Sequence, residues 1–361
     1  MASPIASALA SKLCDPSEPV FLYGTVPPLE GTTDEKVEEQ AASFAKKMAG
    51  LSVDGFIVYD IQEEKGRTPE PRPFAFRKMM EPSGYAGLLQ KKSGKGVVLY
   101  KCVAEHSVGN FEGWADAAVN THGLKCFNLV GGATSSVTYT GPTMDEAAKV
   151  MTARGAKLGG VTIAERHTKK GNEHTTVMRK QNMGMKWFIS QAIYDDKQMV
   201  NFINDYGALC KSESKAPVKM ILTFAPCGRE KTMKFIDWLG VVVPPETRSA
   251  ILDAENKAAT SVNLLCDMLR NIIKETAGSG VPLGVSVESV SIFKDEVAAT
   301  DDLFRRSQAI ILDSMGLGWS VRWGWLAPKK DEKKKEVVQM IGVAVAAAAA
   351  GFVGGRRLSS A

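Results

Sequence analysis

Eight short runs rich in β-branched and aromatic residues, each followed by a longer amphipathic stretch, constrain this chain more than any other feature. They begin near Val20 (VFLYGT), Asp54 (DGFIVYD), Gly96 (GVVLYKCV), Leu124 (LKCFNLVG), Leu158 (LGGVTIAE), Trp187 (WFISQA), Val218 (VKMILTF) and Leu283 (LGVSVESVSIF). The first seven recur at an average of roughly 33 residues, the length of one strand plus its crossover helix. The runs are nearly continuous in their apolarity, so each strand must be buried on both faces, which is the condition inside a parallel sheet wrapped by helices. Eight such units predict a closed (β/α)8 barrel of the TIM type. A barrel of this kind uses about 250 residues, and a chain of 361 leaves room for appendages.

Helix signals fall between the runs. Thr33–Met48 opens on a Thr and acidic residues and closes on lysines before Gly50, matching the charge preferences of both helix ends. Pro245–Ile273 is expected as one long amphipathic segment. The division that follows is an N-terminal extension over 1–19, either a short helix or a frayed end, a barrel over 20–318, a basic linker over 319–336 and a hydrophobic tail over 337–361.

The tail is VVQMIGVAVAAAAAGFVGG from Val337 to Gly355, uncharged and flanked by the run KKDEKKKE on one side and Arg356 and Arg357 on the other. Its length suits a hydrocarbon core, and its basic flanks suit phosphate headgroups. Alanine and glycine supply little transfer free energy, however, and small residues also favour close helix contact. A C-terminal hydrophobic helix is therefore expected either as a membrane anchor through 337–355, on a cytoplasmic-facing protein tail-anchored to an organelle membrane, or as a helix packed on a partner in a homo-oligomer or larger complex.

Charged residues make up 24% of the chain with a formal net charge of +5, scattered except near the C-terminus. No basic stripe of the kind nucleic acid requires is present, and no nucleic-acid partner is expected. The six cysteines lie far apart with no C-x-x-C pair, so they are expected as reduced, buried small hydrophobes in a reducing compartment. His106, His122 and His174 lack metal-ligand spacing, and no metal is expected.

Several segments together resemble methylenetetrahydrofolate reductase. VMRKQNMGMKWFISQAIYD, from Val177 to Asp195, is similar to that family's helix, glycine and strand with a Thr-Gln-aromatic motif. TIAERHT (Thr162–Thr168) is similar to its Tyr-Pro-Glu-x-His segment, FIDWLGVVVPPETRSAIL (Phe235–Leu252) to its glycine-then-proline helix start, and GVSVESVSIF to its closing strand. The resemblance implies an FAD-carrying barrel that reduces 5,10-methylenetetrahydrofolate to 5-methyltetrahydrofolate with NAD(P)H. It further implies that Gln191 binds the folate, that Glu165 and His167 lie beside the flavin, and that Tyr59 and Asp60 contact it. Two departures bear on chemistry. The family's first strand ends in Phe-Glu-Phe-x-Pro-Pro, whose glutamate is the general acid, whereas YGTVPP places Gly24 there. The family's Arg-Gly-Asp after strand four is replaced by LVGGATSS, with Ala133 at the aspartate.

Taken on their own chemistry, the same residues leave alternatives open. Gln191 at a strand end offers one acceptor and two donors for a pterin edge, or it ties down a loop. Glu165 and His167 can orient a ligand or satisfy backbone groups. Gly131 and Gly132, with Thr134, Ser135 and Ser136, form either a phosphate cradle or an ordinary turn. Tyr59 and Asp60 fit a ligand contact or a turn and cap. Tyr194 is expected beside Gln191 in the substrate pocket, and Asp195 as the cap of the next helix. The functions that follow are a divergent flavin-dependent oxidoreductase of one-carbon metabolism, a catalytically impaired barrel serving as a membrane-tethered subunit, or a cofactor-free folate-binding barrel.

Overall fold

The computed structural model describes residues 4–63, 68–105, 108–132 and 138–316. Eight strands, β1 (Phe21–Thr25), β2 (Gly55–Val58), β3 (Gly96–Cys102), β4 (Cys126–Val130), β5 (Lys157–Thr162), β6 (Met185–Ala192), β7 (Lys219–Phe224) and β8 (Leu283–Val287), close into a barrel in sequence order. Every pair is parallel, and β8 returns to β1 with Phe21 opposite Val285 and Tyr23 opposite Val287. The expected (β/α)8 barrel is thus the observed fold, with each run supplying one strand. The tail, the linker, His106 and Thr134–Ser136 lie outside the described residues. No helix among the described residues is long and apolar enough to cross a membrane.

Alternation along each strand sorts side chains into two layers. One face packs inside the barrel, where Leu22, Ile57, Val98, Cys126, Trp187, Ile189 and Ile221 form a dry cluster. The other meets the helix ring. Tyr23, for example, packs against Phe44 and Phe304 and donates through its hydroxyl to Asp301 at 2.8 Å.

The first residues are not an appendage. Pro4–Cys14 is a helix whose Leu9, Ala10 and Leu13 join the interior cluster, closing the N-terminal end of the barrel. Leu9 sits so close to β2 and β3 that a Cβ at Gly55 would lie 2.6 Å from its Cδ2, and one at Gly96 would lie 2.6 Å from its Cβ. Real Cβ atoms do not approach so closely, so these two strands can start only on glycine while the plug is seated.

Three further expectations are corrected. Pro245–Ile273 is two helices, Pro245–Leu252 and Lys257–Thr276, because Asn256 caps the second by accepting from Ala259 N at 3.1 Å. The last strand stops at Val287; beyond it, Ser289 Oγ donates to Ser291 O at 2.8 Å. Cys14 is exposed, whereas Cys102, Cys126, Cys210, Cys227 and Cys266 are buried and free as expected.

Candidate functional site

Because all eight strands run the same way, their C-terminal ends meet at one rim. There the dry interior gives way to an open cavity of about 1120 Å³. Its wall and floor come from Tyr59 and Asp60 after β2, Tyr100 and Lys101 in β3, Gly131 and Gly132 after β4, Glu165 and Arg166 after β5, Ser190 and Gln191 in β6, Thr223 in β7 and Glu288 after β8. The loop Leu239–Val241 forms one lip.

Gln191 lines this cavity as the sequence suggests, and it also ties a loop: Nε2 donates to Leu239 O at 2.9 Å. Its Oε1 has no protein partner among the described residues and is the atom available to a ligand. Tyr59 lines the cavity with its ring 4.7 Å from that of Tyr100, tilted by 59°. Asp60 lines it too, while its carboxylate is heavily committed. Oδ2 lies 3.3 Å from Lys101 Nζ and accepts from Cys102 N at 3.0 Å, and Oδ1 accepts from Gln62 Nε2 at 2.8 Å. Lys101 in turn lies 5.0 Å from the Trp114 ring centroid. Gly131 and Gly132 are exposed on the cavity wall, and a Cβ at Gly132 would strike the Tyr139 ring at 2.0 Å. Glycine at 132 is therefore required by this packing, whatever ligand passes. Glu165 lines the cavity with Oε1 accepting from Val242 N at 3.3 Å, and burial raises its carboxyl above the usual range.

Two expected site residues face elsewhere. His167 is buried in the helix ring, with Nε2 2.8 Å from Asp205 Oδ2 and its ring against His174 and Phe202. It is a packing residue. The helix Ala164–Lys170 turns so that Glu165 faces the cavity and His167, two positions on, faces the helix Asp196–Ser212, because residues two apart on a helix do not share a face. Gln191 and His167 thus do not face one ligand. Tyr194 is 1% exposed and its hydroxyl donates to Ala225 O at 2.5 Å. The space it shares with Gln191 is a void of about 10 Å³, no larger than a water needs. Asp195 caps the next helix as expected, accepting from Lys197 N at 3.1 Å and Gln198 N at 3.3 Å.

The residue that sequence reasoning missed is Glu288. It is half-buried and lines the cavity. Desolvation raises its pKa, and a hydrogen bond from Tyr59 opposes that shift without cancelling it. A signal was present in GVSVESV: Gly284, Ser286 and Glu288 alternate on one face, so the carboxyl follows the two smallest side chains of β8 toward the barrel axis. Ser286 agrees with this direction, its Oγ lying 2.8 Å from Oγ1 of Thr223 on the adjacent strand β7, which lines the cavity.

Fold and site together define a (β/α)8 barrel with an open, polar-floored small-molecule cavity at its C-terminal rim. No known family profile matches the chain, and no curated protein matches it in sequence. Among solved structures, an uncharacterized protein from Clostridium thermocellum that binds two copies of 5-methyl-5,6,7,8-tetrahydrofolic acid is similar, with 26% identity and a TM-score of 0.69. The likeness covers 85% of this chain and 99% of that one. A protein from Aquifex aeolicus VF5 aligns over 88% of this chain and 100% of its own at 12% identity and a TM-score of 0.44, too weak to carry an argument.

Proposed function

We propose that this chain binds a reduced folate in the cavity at the C-terminal rim. The observation that carries the proposal is the cavity itself: open, formed by the ends of β2 to β8, and set in a barrel similar to that of a protein that binds 5-methyltetrahydrofolate. Its chemistry suits the ligand's three parts. Gln191 and Glu288 offer directional polar groups to a pterin, the Tyr59 and Tyr100 rings offer faces to an aromatic linker, and Arg166 and Lys169 offer cations to the glutamate carboxylates. Titration calorimetry with 5-methyltetrahydrofolate is the test. Saturable binding that weakens in Gln191→Ala supports the proposal; the absence of any heat from the intact protein would refute it.

The volume supports a second, finer reading. Pockets for one drug-sized ligand span roughly 300–1,000 Å³, and this one exceeds that range, so a folate could share it with a second body. In the reductase reading that body is FAD, with NAD(P)H as reductant. Tyr59, Asp60, Gly131, Gly132 and Glu165 line the space that would hold it, and His167 does not. FAD would supply hydride transfer, while the chain's own residues would bind, orient and exclude water. A yellow preparation with flavin absorbance supports this reading, and a colourless protein that binds two folates sinks it.

For the tail we propose, on sequence grounds, a membrane tether. Removal of the residues after Pro328 is then expected to release the protein into the soluble fraction, and unchanged partitioning would remove the idea.

A further inference from the structure

We propose that the carboxyl of Glu288, projecting from the end of β8 across Gly24, is the polar anchor of the cavity floor: it donates a hydrogen bond to an acceptor atom of the bound heterocycle and so selects the ligand. The proposal rests on the folate reading of the cavity.

The geometry is specific. Tyr23 pairs with Val287 in the β1–β8 ladder, so the next step along both strands brings Gly24 beside Glu288. A Cβ at Gly24 would lie 2.9 Å from Glu288 Cβ, 3.0 Å from Tyr59 Cε2 and 3.1 Å from Glu288 Oε2. The glutamate therefore fills the space in which a side chain from β1 would stand, and β1 must carry glycine for it to do so. The neighbouring strand thus supplies a carboxyl beside the position where β1 carries no side chain.

Its surroundings favour the neutral acid. The titratable groups that face it are the phenols of Tyr59, just after β2, and Tyr100 on β3. Both are pushed up by burial, with Glu288 a further cause. β1 contributes Gly24 and β7 contributes Thr223, neither of which titrates. Lys101, an ammonium of the cavity wall, is engaged with Asp60. Tyr59 donates to the Glu288 carboxyl, which leaves the acid's own O–H to point into the cavity. A neutral carboxyl presents a donor and an acceptor side by side, the complement of a lactam edge such as a pterin carries. An ionised one would present acceptors alone.

The test is calorimetric binding of 5-methyltetrahydrofolate to the full chain from acidic to alkaline pH, for the wild type, Glu288→Gln and Glu288→Ala. Thermal unfolding of each variant confirms that it is folded. Wild-type affinity is expected to fall as pH rises through the raised pKa of Glu288. Glu288→Gln, which keeps a donor beside an acceptor, is expected to bind with a flat profile, and Glu288→Ala to bind about 10-fold more weakly or worse. If the wild type binds and Glu288→Ala binds equally well, the anchor is refuted while the folate reading stands. Affinity that rises with pH, or a Glu288→Gln that loses binding as Glu288→Ala does, also refutes it, by showing the ionised form at work. If the wild type binds no folate at any pH, both proposals fall.

Discussion

The seated N-terminal helix makes a quantitative prediction. Leu9 is 3% exposed and reaches over the bare backbone of Gly55 and Gly96 at the closed end of the barrel. Leu9→Ala removes its outer carbons from a site whose floor is strand backbone and cannot collapse inward. The loss should therefore lie within the range of about 2–5 kcal/mol seen for buried Leu→Ala changes, and toward its upper half. Urea unfolding followed by far-UV circular dichroism measures it as a shift in midpoint at constant slope. Folate affinity should be unchanged in the same variant, because the plug and the cavity lie at opposite ends of the barrel. A loss below about 0.5 kcal/mol, within the range of an ordinary surface change, would mean that the helix is not docked in the barrel. A parallel loss of folate affinity would mean that the two ends are not independent.

Other outcomes follow from the same structure. Gly24→Ala forces a Cβ against Glu288 and Tyr59; it should cost about 1–3 kcal/mol as an overpacked site and weaken folate binding, and calorimetry showing wild-type affinity would contradict the close approach. Lys101→Met removes the cation paired with Asp60 in a wall where the two side chains are 4% and 8% exposed, so chemical unfolding should register a loss of about 3 kcal/mol or more. Lys219, at the plugged end, donates to Lys12 O at 2.5 Å, and burial lowers its pKa from 10.5 to about 8. The folded state then holds fewer protons than the unfolded state between those values. Its contribution to stability accordingly grows as pH rises from about 8 to 10.5 and is lost as pH falls through about 8, with a slope of at most about 1.4 kcal/mol per pH unit. Lys219→Met should remove that slope, and parallel stability curves for the two proteins would refute the assignment.

The barrel was legible because it is a property of pattern. Eight apolar runs, the first seven at a steady spacing, leave one economical way to bury both strand faces, and periodicity survives without knowledge of any contact. Asp195 was legible for the same reason: a cap acts within three residues of itself. Gln191 was legible in part, since a strand end was enough to place it on the rim, while the bond from its Nε2 to Leu239 depends on a loop 48 positions away.

What sequence could not decide was direction and long-range coincidence. Glu165 and His167 lie two residues apart, yet one faces the cavity and the other Asp205, a division fixed by how the helix Ala164–Lys170 rolls against its neighbour. The first residues looked like an extension because nothing local shows that Leu9 fits the hollows at Gly55 and Gly96. Gly24 looked like a lost acid because the chain that refills its place is 264 residues further on, and only closure of β8 against β1 brings Glu288 there. Periodicity along the chain thus determined the eight strands and their order by itself. The cavity floor was set by packing between strands remote in sequence, because a side chain's environment is a sum over neighbours that only the closed barrel supplies.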